Sequence, residues 1–313
     1  MYKPGRYAAI DIGTVTCRLL VADVDEAGGI EELHRDYAIC NLGVGVDKTG
    51  HLKPESIDRV ASTVGRFSAA LADMASNDPV PVRACATSAS RDADNADDFR
   101  ARLAEFGVYP EVIPGEEEAA LSFAGATSAF PGEAVCVVDI GGGSTEIIAG
   151  QAGETPAHAH SFNVGCRRVT ERFFSQDPPT VEDLDRASAW ISGEFSEYLE
   201  QLRADGFLDG RLIAVAGTAT SIVSMRENMQ VYDSSRVHGA VVTSADVDAL
   251  IKRIAPMTLD ERQHIVGLDP GRAPVILAGL LIMRQFMEAA GVDSFTASER
   301  DILHGIILDA AAC

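Results

Sequence analysis

Positive charge is scarce in this chain: 26 Lys and Arg stand against 47 Asp and Glu, a net charge of −21 at pH 7. A surface that acidic repels nucleic acid and anionic membranes, so neither is expected as a partner. Long apolar runs are also missing. The longest clean one, 273–283, falls far short of the roughly 20 residues that a membrane helix needs. At the start of the chain Lys3 and Arg6 precede a short apolar run that Asp11 ends, so no secretory leader is expected. The six cysteines are scattered with no C-x-x-C pair, which argues against a disulfide framework or a zinc site and for reduced thiols in the cytoplasm. The seven histidines show no H-x-x-x-H spacing, and no low-complexity stretch or Pro/Ser-rich linker interrupts the chain.

What is present is ordinary globular material. Apolar residues make up 46% and charged residues 23%, and 313 residues suffice for two domains at about 100–200 residues each. Strands are expected at 7–12, 17–24 and 30–39. A helix is expected over 54–76, where Ile57, Val60, Val64, Phe67 and Leu71 recur at three- and four-residue spacing after Pro54. A strand at 82–86, a helix at 96–106, a strand at 111–113 and a helix at 116–130 follow. The second half reads as a strand at 156–163, a helix at 180–204, a strand at 211–215, a helix from Ala219 and a strand at 237–243. Helices at 244–255 and 273–290 and an amphipathic tail helix at 298–311 complete it. Such alternation predicts an α/β protein with a mixed sheet.

An internal repeat organises this pattern. The segment Tyr7-Ala8-Ala9-Ile10-Asp11-Ile12-Gly13 recurs in type as Val135-Cys136-Val137-Val138-Asp139-Ile140-Gly141, and the same offset aligns Thr16 with Ser144. Each copy is an apolar strand, Asp-Ile-Gly, a small-residue turn ending in a hydroxyl, and a second apolar strand. Two halves opening with one hairpin predict duplicated domains facing each other across a cleft.

The two turns carry the chemistry. They join strand to strand, so they are not P-loops, which lead into a helix and carry a Lys. Their glycines let a phosphate approach backbone amides, and Thr14, Thr16, Ser144 and Thr145 add hydroxyl donors. Asp11 and Asp139, one at each strand end, suit a Mg²⁺ held partly through water between phosphate oxygens. The plain alternative is two structural turns with Asp as a turn former. Gly115-Glu116-Glu117-Glu118-Ala119 opens a helical run, where three carboxylates complement the helix dipole; the functional alternative is a general base. The segment 86–91, ending in Arg91, offers hydroxyls and a guanidinium as a phosphate grip or is a solvated loop. Gly217–Ser221 turns from strand to helix and would face a phosphate or nucleotide, or serves as a close-packed turn. Arg167, Arg168, Arg236 and His238 are candidate anion contacts.

Together these residues resemble the exopolyphosphatase / guanosine pentaphosphate phosphohydrolase (Ppx/GppA) family. The resemblance runs from Ala9-Ile10-Asp11-Ile12-Gly13 to Ser298-Glu299-Arg300-Asp301-Ile302-Leu303-His304-Gly305, and its most specific pieces are Asp139–Glu146 and the Gly-Glu-Glu-Glu-Ala segment. The length is similar to that of short members without a C-terminal HD-type domain. That family implies two duplicated actin-like domains of the RNase H-like ASKHA superfamily. Domain I would be 1–125, with a C-terminal helix at 298–313 packing back onto it, and domain II would be 126–297. It also implies Glu118 as catalytic residue, with Glu117 as fallback. Gly13, Thr14, Thr16, Arg91, Gly141, Gly142, Gly143, Ser144, Thr145 and Arg168 would bind phosphate, and Asp11, Asp139 and Glu146 would lie at the metal.

The activity so implied is release of terminal orthophosphate from inorganic polyphosphate by in-line attack of water. Mg²⁺ (or Mn²⁺) is the implied cofactor, guanosine pentaphosphate a further substrate and a homodimer the assembly. Two departures from the family pattern stand out: Val15 occupies the usual Asn position of the first turn, and Pro274, expected as a helix start, stands where Asp is common. Val15 motivates one rival reading, a non-catalytic sensor of polyphosphate or an alarmone. The others are an ATP-dependent sugar or carboxylate kinase of the same superfamily and an actin-like filament protein.

Overall fold

Strand β1 (Gly5–Ile12) feeds two different cores, because successive side chains of a strand point to opposite faces. Ala8, Ile10 and Ile12 join one apolar cluster, whereas Tyr7 and Ala9 join another on the reverse side. A strand covered on both faces needs no polar alternation, which is why 7–12 reads as a near-continuous apolar run. The protein is described here by a computed structural model covering residues 1–75 and 79–312; the ends of the expected segments 54–76 and 298–313, at Ser76 and Cys313, lie outside the described residues. The chain divides into two compact units, Met1–Gly125 together with the segment from Asp301, and Ala126–Arg300.

In the first unit β1 pairs antiparallel with β2 (Thr16–Val24), and β2 antiparallel with β3 (Ile30–Ile39). Helices α1 (Val46–Thr49) and α2 (Pro54–Met74) follow. Then come β4 (Val82–Ala86), α3 (Ser88–Arg91), α4 (Ala96–Ala104), β5 (Glu111–Val112) and α5 (Gly115–Thr127). β4 runs parallel to β1, and β5 parallel to β4, giving the order β3-β2-β1-β4-β5. α2 starts at Pro54, a residue tolerated in a first turn, and buries Ile57, Val60, Val64, Phe67 and Leu71.

The second unit repeats this plan with β6 (Ala134–Ile140), β7 (Thr145–Gln151), β8 (His158–Phe162), α6 (Cys166–Phe173) and α7 (Val181–Ala204). It continues with β9 (Arg211–Val215), α8 (Ala216–Arg226), α9 (Ser234–Val237), β10 (Val241–Thr243), α10 (Ser244–Ile254) and α11 (Leu259–Gln263). A 3₁₀ turn at Pro270–Arg272, α12 (Ile276–Ala290) and β11 (Ser294–Ala297) close it. The order β8-β7-β6-β9-β11, with the same pairing directions as β3-β2-β1-β4-β5, is the duplicated architecture that the sequence repeat predicts; β10 is an addition at the edge. α13 (Ile302–Ala311) then packs on β1 and β2 of the first unit.

Several segments depart from expectation. The run 237–243 is not one strand: Asp233 caps the short α9, Gly239 takes φ +82°, and the strand begins only at Val241. The tail starts later and carries an extra strand, because Ser294–Ala297 pairs parallel with β9 before Asp301 caps α13. α13 is buried around most of its circumference rather than amphipathic, as expected of a helix packed on several sides. Ser88–Arg91 forms a short helix where a solvated loop was one alternative, and Cys166–Phe173 forms one where no element was expected. Pro274 lies in the turn just ahead of α12 rather than in its first turn. The apolar run 273–283 becomes the start of that buried helix, and no described helix is long and apolar enough to cross a membrane. The five described cysteines are free and buried.

Candidate functional site

Both hairpin turns close with the same bond. Gly13 N–H donates to the Thr16 carbonyl at 2.9 Å, and Gly141 N–H to the Ser144 carbonyl at 3.0 Å. A Cβ on either glycine would lie 3.3 or 3.2 Å from that carbonyl oxygen, so the tight turn itself favours glycine. In the first unit the turn is backed by a loop whose amides at Cys40 and Asn41 donate to Val15 O, and at Gly43 to Thr14 O. A Cβ on Gly43 would sit 2.3 Å from the Thr14 methyl, so this glycine sets how closely the loop approaches; its role escaped the sequence reading. Thr14 Oγ1 is buried with no protein partner. Val15 is buried as well, part of the turn's packing.

β4 ends beside this turn, with Thr87 N–H donating to Ile12 O at 3.2 Å. The next residues bend into α3, whose last residue, Arg91, reaches across to the start of α5. Arg91 Nη1 donates to Ile113 O at 2.9 Å and to Glu118 Oε2 at 2.7 Å. Two residues singled out separately from sequence are thus one ion pair, and Glu118 is only 9% exposed. Glu117 points elsewhere: its Oε1 accepts from Arg83 Nη2 at 2.6 Å. Thr16 opens β2, with Ile39 of β3 as its register partner.

Asp11 faces Arg18, its register partner across the β1–β2 hairpin. Arg18 donates to Asp11 Oδ2 from Nε at 3.0 Å and from Nη2 at 2.6 Å, and its Nη1 donates to Asp301. Burial pushes the Asp11 carboxyl above its ordinary range, outweighing Arg18. Asp301 goes the other way: burial opposes its charge, but Arg18 and His304 hold it well below the usual carboxylate range.

The second hairpin is built differently at the same place. Asp139 lies opposite Glu146, so the repeat that puts an arginine across from the first Asp puts a second carboxylate here. Both acids are buried, and Ser161 Oγ donates to Glu146 Oε1 at 2.6 Å. The turn Gly141–Gly143 is gripped by α6. Cys166 N–H donates to Gly141 O at 3.0 Å, Arg167 N–H to Gly142 O at 2.8 Å, and Arg168 Nε to Gly143 O at 3.0 Å. Ser144 is buried in the turn. Thr145, an expected phosphate donor, is fully buried and donates its hydroxyl to Val164 O, which spends its only proton on the backbone.

The strand-to-helix turn at 215–218 lies beside the end of β6, with Val215 paired to Asp139 and Thr218 Oγ1 bonded to Ile140 O at 3.4 Å. Ala216 takes φ +63°, and a Cβ on Gly217 would fall 1.6 Å from Arg272 Nη1; only a glycine lets that guanidinium rest on the turn. Arg236 pairs with Glu227, and His238 Nδ1 lies 3.3 Å from Glu299 N. Among the described residues no group of three or more His, Cys, Asp or Glu is assembled as a metal cage.

Comparison with known proteins agrees with this architecture. The sequence matches the Ppx/GppA phosphatase family over residues 20–312. It is 37% identical over 321 residues to exopolyphosphatase 2 of Mycobacterium tuberculosis, covering 98% of both chains. The crystal structure of an exopolyphosphatase from Cytophaga hutchinsonii superposes with a TM-score of 0.87 at 26% identity, covering 98% of this chain and 99% of that one. The Aquifex aeolicus Ppx/GppA family member gives 0.78 at 28% identity, with 98% and 97% covered.

Proposed function

Because this chain belongs to the Ppx/GppA phosphatase family, we propose that it is an exopolyphosphatase, releasing terminal orthophosphate from inorganic polyphosphate by in-line attack of water. The observation that carries this reading is the Arg91–Glu118 pair at 2.7 Å, a nearly buried carboxylate held by a fixed guanidinium beside the Gly13 turn. Phosphoryl transfer asks little covalent chemistry of a protein; it asks for positioning and for stabilisation of spread negative charge. Glu118 orients the attacking water and takes its proton. Arg91, anchored through Nη1 alone, retains its other N–H groups for phosphate oxygens. In each unit the turn amides other than those of Gly13 and Gly141, which close the turns, bind further phosphate oxygens, with Thr14 and Thr16 beside the first turn and Ser144 and Arg168 beside the second.

Asp139 and Glu146, opposed across β6–β7, are the residues that would hold a divalent cation. Among the described residues no third His, Cys, Asp or Glu joins these two carboxylates, a donor set that would suit Mg²⁺, whose remaining positions water and substrate would fill; Mn²⁺ is the alternative. Once bound, such an ion neutralises charge on the phosphate chain. Asp11 takes part as a carboxylate oriented by Arg18 at the end of β1. Family resemblance extends the proposal to guanosine pentaphosphate as a second substrate, a homodimer and a cytoplasmic location.

The test is phosphate release from short and long polyphosphate, guanosine pentaphosphate and ATP in the presence of Mg²⁺, with Glu118→Gln beside the wild type. Release from polyphosphate that falls by about 10²-fold or more in the variant is the expected result. Four intact substrates, with one of them still bound, would overturn hydrolysis in favour of a sensor.

A further inference from the structure

The C-terminal motif 298–305 takes no part in the mechanism above, yet its residues are linked through Arg18 to Asp11 and packed against α5, the helix that carries Glu118. Asp301 caps α13, its Oδ1 accepting from Leu303 N–H at 3.0 Å, while its Oδ2 accepts from Arg18 Nη1. Arg18 spends its Nε and Nη2 on Asp11. One guanidinium therefore bridges the end of β1 and the start of α13, and all three side chains are largely buried, Arg18 at 18% exposure and the two acids at 7% and 6%.

The same helix is locked to α5, which carries Glu118. A Cβ on Gly125 would lie 1.8 Å from Asp301 O, and one on Gly305 would lie 1.8 Å from Leu121 O. At these two points the helices meet backbone against backbone. At the other end of α13, Arg83 joins Asp309 to Glu117, both at 2.6 Å, one residue before Glu118. His304, fully buried, adds a bond to Glu32 of β3 at 2.9 Å.

We propose that Asp301 is a positioning residue for the phosphatase reaction, acting through Arg18 to hold the Asp11 carboxylate in place, and that α13 is the brace on which the first unit's catalytic geometry is set. The inference rests on the phosphatase reading. A carboxylate held by a fork whose far end is itself anchored has few orientations open to it. Remove the charge of Asp301 and the Nη1 end of Arg18 loses its anchor, which loosens the hold of Nε and Nη2 on Asp11. A misplacement of about 1 Å is enough to cost on the order of 10²-fold in rate.

Asp301→Asn keeps the shape and remains a good helix cap, but removes the charge that Arg18 bridges. On polyphosphate, kcat is expected to fall about tenfold or more while KM stays within about twofold, as for a group that acts on transition-state geometry. Arg18→Lys, which keeps the charge but loses the fork, is expected to do the same. The double variant Arg18→Lys/Asp301→Asn is expected to be no worse than Arg18→Lys alone, because Asp301 acts through Arg18. Melting curves are read for each variant. Additive losses, a rise in KM with kcat unchanged, or a loss that only follows a falling folded fraction would each overturn the proposal. Failure of the parent reading looks different: there the wild type itself releases no phosphate, and this inference falls with it. A wild type that is active and silenced by Glu118→Gln, but indifferent to Asp301→Asn, removes this inference alone.

Discussion

At the residue scale the two hairpins share their backbone and differ in their charge. Asp11 faces Arg18, whereas Asp139 faces Glu146. A cation is repelled by the guanidinium in the first case and attracted by a second carboxylate in the other. The metal requirement should therefore respond to the second hairpin. Glu146→Gln is expected to raise the Mg²⁺ concentration for half-maximal activity by about tenfold or more, and Asp11→Asn to lower kcat with that concentration held within about twofold. Titrating Mg²⁺ against initial rate decides this, and equal shifts in the two variants would sink the assignment. Glu117 and Glu118 were separable in sequence only by family resemblance. In the fold their one-residue offset sends one carboxylate to Arg83 and the other to Arg91.

At the element scale the informative piece is α13, expected as an amphipathic tail helix and found buried on most sides around one histidine. Burial pulls His304 down, but Asp301 and Glu32 outweigh it and raise its pKa above the ordinary value of 6.5. A histidine raised in the folded state contributes stability that is complete below its unfolded pKa and is lost as pH climbs through the folded one. Asp301 and Glu32 are both lowered, Asp301 by Arg18 and His304 against burial and Glu32 chiefly by His304, so their share is lost on the acid side. The helix dock should therefore be tightest between about pH 5 and 6.5. Urea midpoints of the wild type are expected to decline from pH 6.5 to 9, and those of His304→Gln to lose that decline. Equal slopes in the two proteins would mean that another group titrates.

Across the whole molecule a net charge of −21 opposes the approach of a polyanionic substrate. Local cations, turn amides and a divalent ion must overcome a repulsive field that salt screens over about 10 Å at 0.1 M. At fixed free Mg²⁺ and low substrate, kcat/KM for polyphosphate is expected to rise from low to moderate ionic strength before falling. A monotonic fall from the lowest salt upward would mean that a basic channel governs association.

Much of this was legible in one dimension. Near-continuous apolar runs locate β1 and β2, and a helical repeat after Pro54 locates α2, since local pattern suffices where a strand is covered on both faces or a helix buries one continuous face. The hairpin repeat predicted duplicated domains, and the two sheets share one strand order because duplicated segments fold by the same local rules. The family motifs named Arg91, Glu118, Asp139 and Glu146. Pairing was not legible. That Arg91 meets Glu118, that Arg18 joins Asp11 to Asp301 across most of the chain, and that Thr145 spends its hydroxyl inward follow from which strand lies beside which. Short elements such as α3, α6 and β11 were hidden for a related reason: a few residues carry too little periodic signal, and their neighbours in space stabilise them. The sequence by itself determined the elements, the duplicated plan and the residue types at the turns, because those depend on contacts close along the chain. Only the tertiary structure decided which charges neutralise one another and which stand ready for a substrate, because that depends on residues that meet after the chain has closed on itself.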